Sequence, residues 1–275
     1  MGIELNKFYI GESVQFMKDN IENNFVDLTV TSPPYDNLRT YKGFEFDYKS
    51  MLKELYRITN IGGVVVWVVG DATIKGSETG TSFKHALYAK EIGFNLHDTM
   101  IYLKNQLAFP DSNRYYNAFE YMFVFSKGKP KIFNPIKDRK NISAGRDVNG
   151  CEREKDGSLR KIRSCAGNII KEYGIRWNYW LVYNQKRGIE TKHPAIFPEQ
   201  LAQDHILSWS NEGDIILDPM CGSGTVAKMA FLNNRKFIGI DTSEEYINEI
   251  CIPRLEMYGW KSENVINDIC DSNNV

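Results

Sequence analysis

The residues from Asp218 to Thr225 have the sequence DPMCGSGT, and they decide the fold class. The apolar run before them predicts a strand over Asp214 to Leu217, and the spacing of Val226, Met229 and Ala230 predicts a helix from about Thr225. Glycines let the main chain turn tightly and let a ligand approach it, while a helix N-terminus offers backbone N–H groups. The stretch therefore predicts a strand–turn–helix unit that binds a polar or anionic ligand.

Asp241 strengthens this interpretation. It follows a second predicted strand, Lys236 to Ile240, and lies 17 residues after Gly224. In doubly wound sheets, a carboxylate at that place accepts hydrogen bonds from the hydroxyls of a ribose. The residues from Gly222 to Ala227 also satisfy the G-x-G-x-x-G/A dinucleotide pattern, which is a weak signal by itself. Together, the turn and the acid favour a nucleotide-like cofactor over a purely structural glycine turn.

The rest of the sheet must come from the N-terminal third, because about thirty residues after Asp241 are too few for several further strands. Strands are predicted over Val26 to Val30, Val64 to Val69, 94–104 and 119–126, with a helix over Tyr48 to Ile58 that Gly62-Gly63 ends. Unbroken apolar strands are typical of parallel sheets covered on both faces. We therefore expect an α/β fold.

A second motif, TSPPY from Thr31 to Tyr35, follows the first of these strands. Proline lacks a backbone N–H, so the paired prolines end the strand and fix the direction of the preceding carbonyls. Ser32 adds a hydroxyl, and Tyr35 adds a flat ring with a polar tip. Such a loop can accept hydrogen bonds from an amino group while the ring stacks on a planar heterocycle. A bland proline-rich loop remains the alternative.

Both motifs follow predicted parallel strands, although they are nearly two hundred residues apart in the chain. Ligands of open α/β sheets bind at the carboxyl ends of the strands. We therefore expect the Pro-Pro loop and the glycine turn to face each other across one cleft. This geometric expectation carries the rest of the functional interpretation.

The charge distribution points to a polyanion. The 275 residues are 42% apolar and 25% charged, with a net charge of −1. Residues 126–192, however, contain 17 Lys and Arg against 7 Asp and Glu, which leaves 17 against 28 in the remainder. Interleaved aromatics make disorder of this segment improbable. It is either a nucleic-acid-binding insert or a solvated basic surface.

Cysteine usage and hydropathy exclude other classes. The five cysteines are scattered, with no C-x-x-C, which favours reduced thiols in the cytoplasm over a disulfide framework or a zinc cluster. No run approaches ~18 uncharged apolar residues, so we expect no membrane association. The first ten residues lack the pattern of a secretory signal.

With these motifs in this order, the chain resembles the β-class amino-methylating DNA methyltransferases of type II restriction-modification systems. The resemblance covers nearly all of the chain outside 128–190. The matching segments are Asn6 to Ser13, Thr31 to Tyr35, Gly62 to Asp71, Glu120 to Lys127, His193 to Leu201, and Asp218 to Thr225 with Asp241. The resemblance implies a Rossmann-like, doubly wound, mostly parallel sheet of seven strands built from 1–127 and 191–275, with 128–190 inserted as a basic target-recognition region.

The resemblance also implies the ligands and the site residues. S-adenosyl-L-methionine is the implied cofactor, no metal is expected, and the implied partner is double-stranded DNA. Ser32, Pro33, Pro34 and Tyr35 would be catalytic. The residues implied for the cofactor are Glu12, Thr31, His193, Pro194, Phe197, Asp218, Pro219, Cys221, Gly222, Ser223, Gly224, Thr225 and Asp241. Glu12 stands where the family often has Asp, and the segment from His193 could instead pack on the sheet.

Within this family, Ser at the first position of the catalytic motif more often accompanies cytosine N4, and Asp accompanies adenine N6. Ser32 therefore favours N4-methylation of a flipped cytosine, with adenine N6 as the runner-up. A cognate restriction endonuclease is a candidate partner, and the chain could be a monomer or a homodimer.

Two other interpretations remain open. An NAD-dependent oxidoreductase would use the same glycine turn and ribose-binding acid, but it leaves Ser32 to Tyr35 and the basic segment unexplained. A non-catalytic nucleic-acid-binding module explains the basic segment but leaves both motifs unused. A related family that methylates RNA bases usually has its cofactor motif first, the reverse of the order here.

Overall fold

The computed structural model describes residues 2–34, 46–105, 113–148, 151–161, 168–183 and 197–261. The chain forms two compact units. The larger comprises Met1–Asn134 with Asn178–Val275, and the smaller comprises Pro135–Trp177. Among the described helices, none combines the length and the apolar character needed to cross a membrane.

The N-terminal part of the larger unit alternates strands and helices, as the apolar pattern predicts. Its elements are β1 (Lys7–Ile10), α1 (Ser13–Asn20), β2 (Val26–Thr31), α2 (Tyr48–Ile58), β3 (Thr59–Val69), β4 (Thr73–Ile74), β5 (Ser77–Glu78), α3 (Thr81–Glu91), β6 (Asn95–Lys104) and β7 (Phe119–Ser126). Helix α2 matches its predicted bounds, because Asp47 caps its first turn by accepting hydrogen bonds from the N–H groups of Lys49 and Ser50.

The described part of the smaller unit contains four short strands, and the C-terminal part of the larger unit returns to alternation. The short strands are β8 (Arg139–Lys140), β9 (Cys151–Arg153), β10 (Leu159–Lys161) and β11 (Tyr173–Gly174). The later elements are β12 (Tyr179–Val182), α4 (Glu199–Trp209), β13 (Ile215–Asp218), α5 (Thr225–Leu232), β14 (Lys236–Asp241), α6 (Glu244–Tyr246), a π-helical segment (Ile247–Cys251) and α7 (Ile252–Glu256). The π geometry changes to α geometry just before Pro253, which lies in the first turn of α7, where its missing N–H is tolerated.

The central sheet of the larger unit has eight described strands in the order β1-β14-β13-β2-β3-β7-β6-β12. All neighbouring pairs are parallel except those made by β7, which is antiparallel to both β3 and β6. The C-terminal strands thus lie between β1 and β2, as the shortage of residues after Asp241 requires. The predicted α/β, mostly parallel architecture is confirmed.

The count of seven strands is wrong, because β12 adds an eighth at the edge. This strand lies within the segment that we expected to be inserted, at 128–190. Its residues alternate between exposed and buried, with Trp180 and Val182 turned into the core. The compact smaller unit accordingly spans Pro135–Trp177, which is narrower than that segment.

The expected break at Gly62-Gly63 is also wrong, since both glycines lie inside β3. Helix α2 ends earlier, at Ile58. The pairing of β2 with β3 is irregular between Val26 and Leu28, and Gly62 takes a positive φ of 83° there. A Cβ on Gly63 would come within 2.9 Å of the Asp27 carbonyl oxygen. The glycines therefore accommodate an irregular strand pair rather than ending a helix.

The core lies on both faces of the sheet and keeps the strand ends rigid. Strand β3 is buried from Val64 to Val69, and Trp67 is among the largest fully buried side chains. Strands β13 and β2 pair through Ile216 with Leu28 and Leu217 with Thr29. These neighbouring central strands place their carboxyl ends, Asp218 and Thr31, side by side.

Candidate functional site

The two sequence motifs meet at the carboxyl edge of the sheet. The Thr31 hydroxyl, at the end of β2, donates a hydrogen bond of 2.9 Å to Oδ1 of Asp218, at the end of β13. Both side chains are buried, with exposed fractions of 1% and 6%. The Pro-Pro loop and the glycine turn thus leave adjacent strands on the same side of the sheet, as the geometric expectation requires.

Asp218 is an acid in an apolar setting. The pKa of Asp218 is raised to about 7, chiefly by burial, and the nearby Asp241 carboxylate acts in the same direction. Hydrogen bonds from the Thr31 hydroxyl and the Met220 N–H, at 2.9 and 3.2 Å, act in the opposite direction. Because the site holds this carboxyl at a cost, its role is better explained by ligand binding than by stability.

Asp241 is fixed by the backbone around it. Its Oδ2 accepts a hydrogen bond from the Gly222 N–H at 2.8 Å, and its Oδ1 accepts one from the Ser243 N–H at 2.9 Å. Its carbonyl oxygen accepts one from the Gly11 N–H at 2.9 Å, which ties the end of β1 to the end of β14. The carboxylate is partly exposed at the sheet edge, where a ribose would be bound.

The turn between β13 and α5 is held by its own backbone. Gly222 and Gly224 both have positive φ, 51° and 70°, and the Gly224 N–H donates to the Cys221 carbonyl at 2.7 Å. A Cβ on Gly224 would approach Cys251 Sγ to 3.1 Å. Glycine is therefore required there by both conformation and space.

The two buried thiols near this turn serve packing. Cys221 and Cys251 contact each other, and Cys251 donates to the Gly222 carbonyl at 3.1 Å. Burial raises the pKa of the Cys221 thiol well above its usual value, and its hydrogen bond with Cys251 acts in the same direction. A protonated, buried thiol is a poor nucleophile.

Ser223 and Thr225 lie behind the turn, against a buried arginine that the sequence interpretation missed. Arg254 of α7 donates to the Ser223 carbonyl at 2.8 Å and to the Thr225 hydroxyl at 2.9 Å. The side chains of these two predicted cofactor residues are 3% and 1% exposed. These two side chains therefore support the turn from behind, and only the backbone of the two residues forms part of the turn itself.

Glu199 and Lys228 complete this support. Glu199 of α4 accepts hydrogen bonds from Arg254 at 2.5 Å and from Lys228 of α5 at 2.6 Å. Burial raises the pKa of Glu199, but the two cations outweigh it and hold the pKa below its usual value. Burial of an Arg with a Glu from another helix has no periodic signal in the sequence, so it could not have been predicted.

Glu12 has a defined structural role. It caps α1, accepting hydrogen bonds from the N–H groups of Val14 at 3.0 Å and Gln15 at 2.8 Å. Ser13 beside it donates to the Pro219 carbonyl, which links α1 to the glycine turn. Pro219 is therefore held in place from the β1 side of the site.

The catalytic motif is described up to Pro34. Ser32 and Pro34 are partly exposed and Pro33 is buried, beyond the end of β2. Phe197, just before α4, is partly exposed. Tyr35, His193 and Pro194 lie outside the described residues.

The residues at this edge fit a nucleoside cofactor that carries a polar tail. Asp241 offers a carboxylate, oriented by two backbone N–H groups, for ribose hydroxyls. Asp218 offers a buried acid at the end of the adjacent strand, and the glycine turn that follows it is partly exposed at Gly222. The Ser32 hydroxyl begins the next loop along the sheet, so that a cofactor and a second substrate would lie next to each other.

Comparisons with known proteins agree with this arrangement. A model of the DNA methylase family, which groups N6 and N4 methyltransferases, matches residues 26–251. The chain is 58% identical over 249 residues to the orphan methyltransferase M.BamHII of Bacillus amyloliquefaciens, covering 88% of this chain and 93% of that protein.

Two solved structures share the fold. The cytosine-N4-specific PvuII DNA methyltransferase superposes with a TM-score of 0.64 at 20% identity, covering 90% of this chain and 87% of that one. The complex of M1.HpyAVI with SAM superposes with a TM-score of 0.58 at 22% identity, covering 90% and 99% of the two chains.

Proposed function

We propose, from the premise that this chain belongs to the DNA methylase family, that it methylates the exocyclic N4 amino group of cytosine in double-stranded DNA. Membership confirms the resemblance drawn from the motifs, the methyltransferase fold class and S-adenosyl-L-methionine as the cofactor. The chain is a DNA amino-methyltransferase. The observation that carries the proposed transfer site is the Thr31–Asp218 hydrogen bond, which joins the Pro-Pro loop to the cofactor turn. The choice of cytosine over adenine rests on Ser32.

Asp241 and the glycine turn would hold the cofactor, with Asp241 on the ribose and Asp218 nearer to the methyl-bearing end. When bound, the cofactor supplies an electrophilic methyl group on a sulfonium. The residues behind the turn, led by Arg254, keep its main chain rigid. Such rigidity matters because positioning supplies most of the acceleration in a direct displacement.

The catalytic loop would hold the base. A base inside a duplex must be flipped out, at a cost of a few kcal/mol. Tyr35 would stack on the extruded ring, while the Ser32 hydroxyl and the Pro33 carbonyl would accept hydrogen bonds from its amino group. These bonds draw the amino protons away and aim the nitrogen lone pair at the methyl group. The new bond from nitrogen to the methyl carbon would replace the sulfonium–methyl bond, which leaves a neutral thioether. The extra amino proton then passes to water, with the Ser32 hydroxyl able to relay it, and none of the cysteines is needed as a nucleophile.

Ser32 favours cytosine over adenine in this proposal. The first position of the motif carries Ser rather than Asp, and Ser more often accompanies N4 transfer in the family that the chain resembles. The PvuII enzyme, which shares the fold, is specific for cytosine N4. Adenine N6 is the second candidate, because its amino group also lies beside a ring nitrogen.

The proposal extends to the protein's surroundings. The smaller unit, which is basic, would bind the DNA. The protein would be soluble, encoded by a bacterium or a phage, and would meet that DNA in the cytoplasm. A cognate restriction endonuclease and a monomeric or homodimeric state belong to the proposal as well.

Nucleoside analysis tests the proposed reaction. The protein is incubated with mixed-sequence duplex DNA and S-adenosyl-L-methionine that carries a deuterated methyl group, and the digested nucleosides are analysed by mass spectrometry. We expect labelled N4-methyldeoxycytidine. Labelled N6-methyldeoxyadenosine would instead show that adenine N6 is the substrate atom. The Ser32→Ala variant, which retains the cofactor turn, serves as the control.

A further inference from the structure

The smaller unit contains the richest set of arginines outside the candidate site. Residues 135–177 include 11 Lys and Arg against 6 Asp and Glu. The unit's described strands form two antiparallel pairs: β9 and β10 are a hairpin, and β8 pairs with β11, which is distant in the chain. Antiparallel strand pairs hold side chains in fixed directions, which a flexible basic tail does not.

Arg139 of β8 is held by two contacts. Its guanidinium lies over the Trp177 ring, with the Cζ atom 4.3 Å from the ring centroid. Its Nε donates to the Ile175 carbonyl at 2.9 Å. The stacking fixes the plane of the guanidinium, and the Nε bond fixes its rotation. The two terminal nitrogens therefore point in a set direction.

Gly174 leaves the space that Arg139 occupies. It pairs with Arg139 across the β8–β11 strand pair, and a Cβ built on it would lie 2.4 Å from Nη2 of Arg139. The nearest atom is the far end of a long side chain. A methyl group at Gly174 would therefore displace the guanidinium and leave the backbone of the strand pair in place.

The other held arginines of this unit are neutralised. Arg176 pairs with Asp138, with its Nε 2.9 Å from Oδ2. Arg160 pairs with Glu152 at 3.1 Å and with Glu154 at 2.7 Å. Arg139, by contrast, makes no ion pair with any carboxylate in the described part of the chain. It combines a fixed direction with an uncompensated charge.

We propose that Arg139 is a specificity-determining residue that recognises one guanine of the DNA target through its O6 and N7 atoms. The proposal rests on the proposed function, DNA methylation. Two parallel N–H donors match the two acceptors of guanine in the major groove, and this pairing needs a guanidinium of fixed orientation. A contact to phosphate needs only charge, which the exposed lysines of the unit already supply.

Three variants separate recognition of a base from charge and from folding. Arg139→Lys keeps the positive charge but loses the two parallel N–H donors and the planar group that stacks on Trp177. Gly174→Ala keeps Arg139 but displaces it. Arg160→Lys is the matched control, because it makes the same substitution in the same unit at an exposed, paired arginine. The modified positions are determined by sequencing DNA that each protein has methylated, together with the salt dependence of DNA binding.

We expect the wild-type target to contain a guanine whose discrimination against the other bases falls about 10-fold or more in Arg139→Lys and in Gly174→Ala. The Arg160→Lys target should equal the wild-type target. Replacing that guanine by 7-deazaguanine, which lacks the N7 acceptor, should slow the wild type more than it slows Arg139→Lys.

Two results would overturn the inference. A wild-type target without guanine excludes it, and so does an unchanged target in Arg139→Lys and Gly174→Ala with equal loss of affinity for all sequences. If the wild type methylates no DNA, the proposed function fails first. If it methylates DNA and only the variants behave otherwise than expected, the role of Arg139 alone is wrong.

Discussion

The Asp218→Asn substitution should change the stability of the cofactor-free protein in a pH-dependent way. The rise of the Asp218 pKa from 3.8 to about 7 favours the protonated form by about 4 kcal/mol in the folded state. The folded pKa is raised, so this stabilisation is fully present below pH 3.8, declines as the pH rises, and is lost above about pH 7. Between pH 5 and pH 8, the wild type should lose about 3 kcal/mol from this group alone.

Asn does not ionise, and its side-chain oxygen can still accept from the Thr31 hydroxyl and the Met220 N–H. Burial of its NH₂ group lowers the free energy of unfolding of the variant by about 1–3 kcal/mol at every pH. The free energy of unfolding of Asp218→Asn relative to the wild type should therefore rise by about 3 kcal/mol from pH 5 to pH 8.

Urea denaturation of both proteins at pH 5, 6, 7 and 8 measures this difference, since other titrating groups cancel in the comparison. A difference that stays constant across these pH values would refute the assignment of a buried, mostly protonated Asp218. Thr31→Val is the second variant. It removes a hydrogen bond that lowers the Asp218 pKa, so the decline of stability should extend to higher pH, whereas Thr31→Ser should behave as the wild type does.

Three further substitutions test the other parts of the site. Tyr35→Ala should reduce the single-turnover rate of methyl transfer at least ~10-fold, because stacking is worth about 1–3 kcal/mol per base. Calorimetry should show little change in cofactor affinity. Lost cofactor binding with intact turnover would contradict the role of Tyr35. Asp241→Ala should weaken cofactor binding with little effect on DNA affinity, and an unchanged cofactor Kd would contradict the ribose contact. Arg254→Met should destabilise the protein by about 3–5 kcal/mol, because it leaves Glu199 in a partly emptied buried network. Thermal melting compared with Arg254→Lys measures this loss, and an unchanged Tm would show that the network contributes nothing.

The position of the site was predictable because strand ends obey simple rules. A strand that runs into Pro33-Pro34 must end there, and a strand that runs into the glycine turn must end at Asp218. The small number of residues after Asp241 requires that the two strands share one sheet. Their adjacency, seen in the Thr31–Asp218 hydrogen bond, follows from topology rather than from any local pattern.

The details that sequence reasoning missed depend on tertiary contacts. The burial of Arg254 behind the turn requires Glu199 from another helix, and no residue spacing in the sequence predicts such a pair. The helix-capping role of Glu12 competes with its expected role in cofactor binding, and only coordinates reveal which N–H groups it accepts from. Strand β12 did carry a signal, the alternation from Tyr179 to Val182, but the basic segment around it concealed that alternation.

A single-turnover transfer experiment tests the central claim most directly. Protein in excess over methyl-labelled S-adenosyl-L-methionine is mixed with saturating duplex DNA, and the label in the DNA is counted against time. If the glycine turn and the Pro-Pro loop form one pocket, the label should pass to an amino group of the DNA in one exponential phase, and Ser32→Ala should bind the cofactor but transfer far more slowly. Cofactor that stays bound without labelling the DNA in the wild type would contradict the claim.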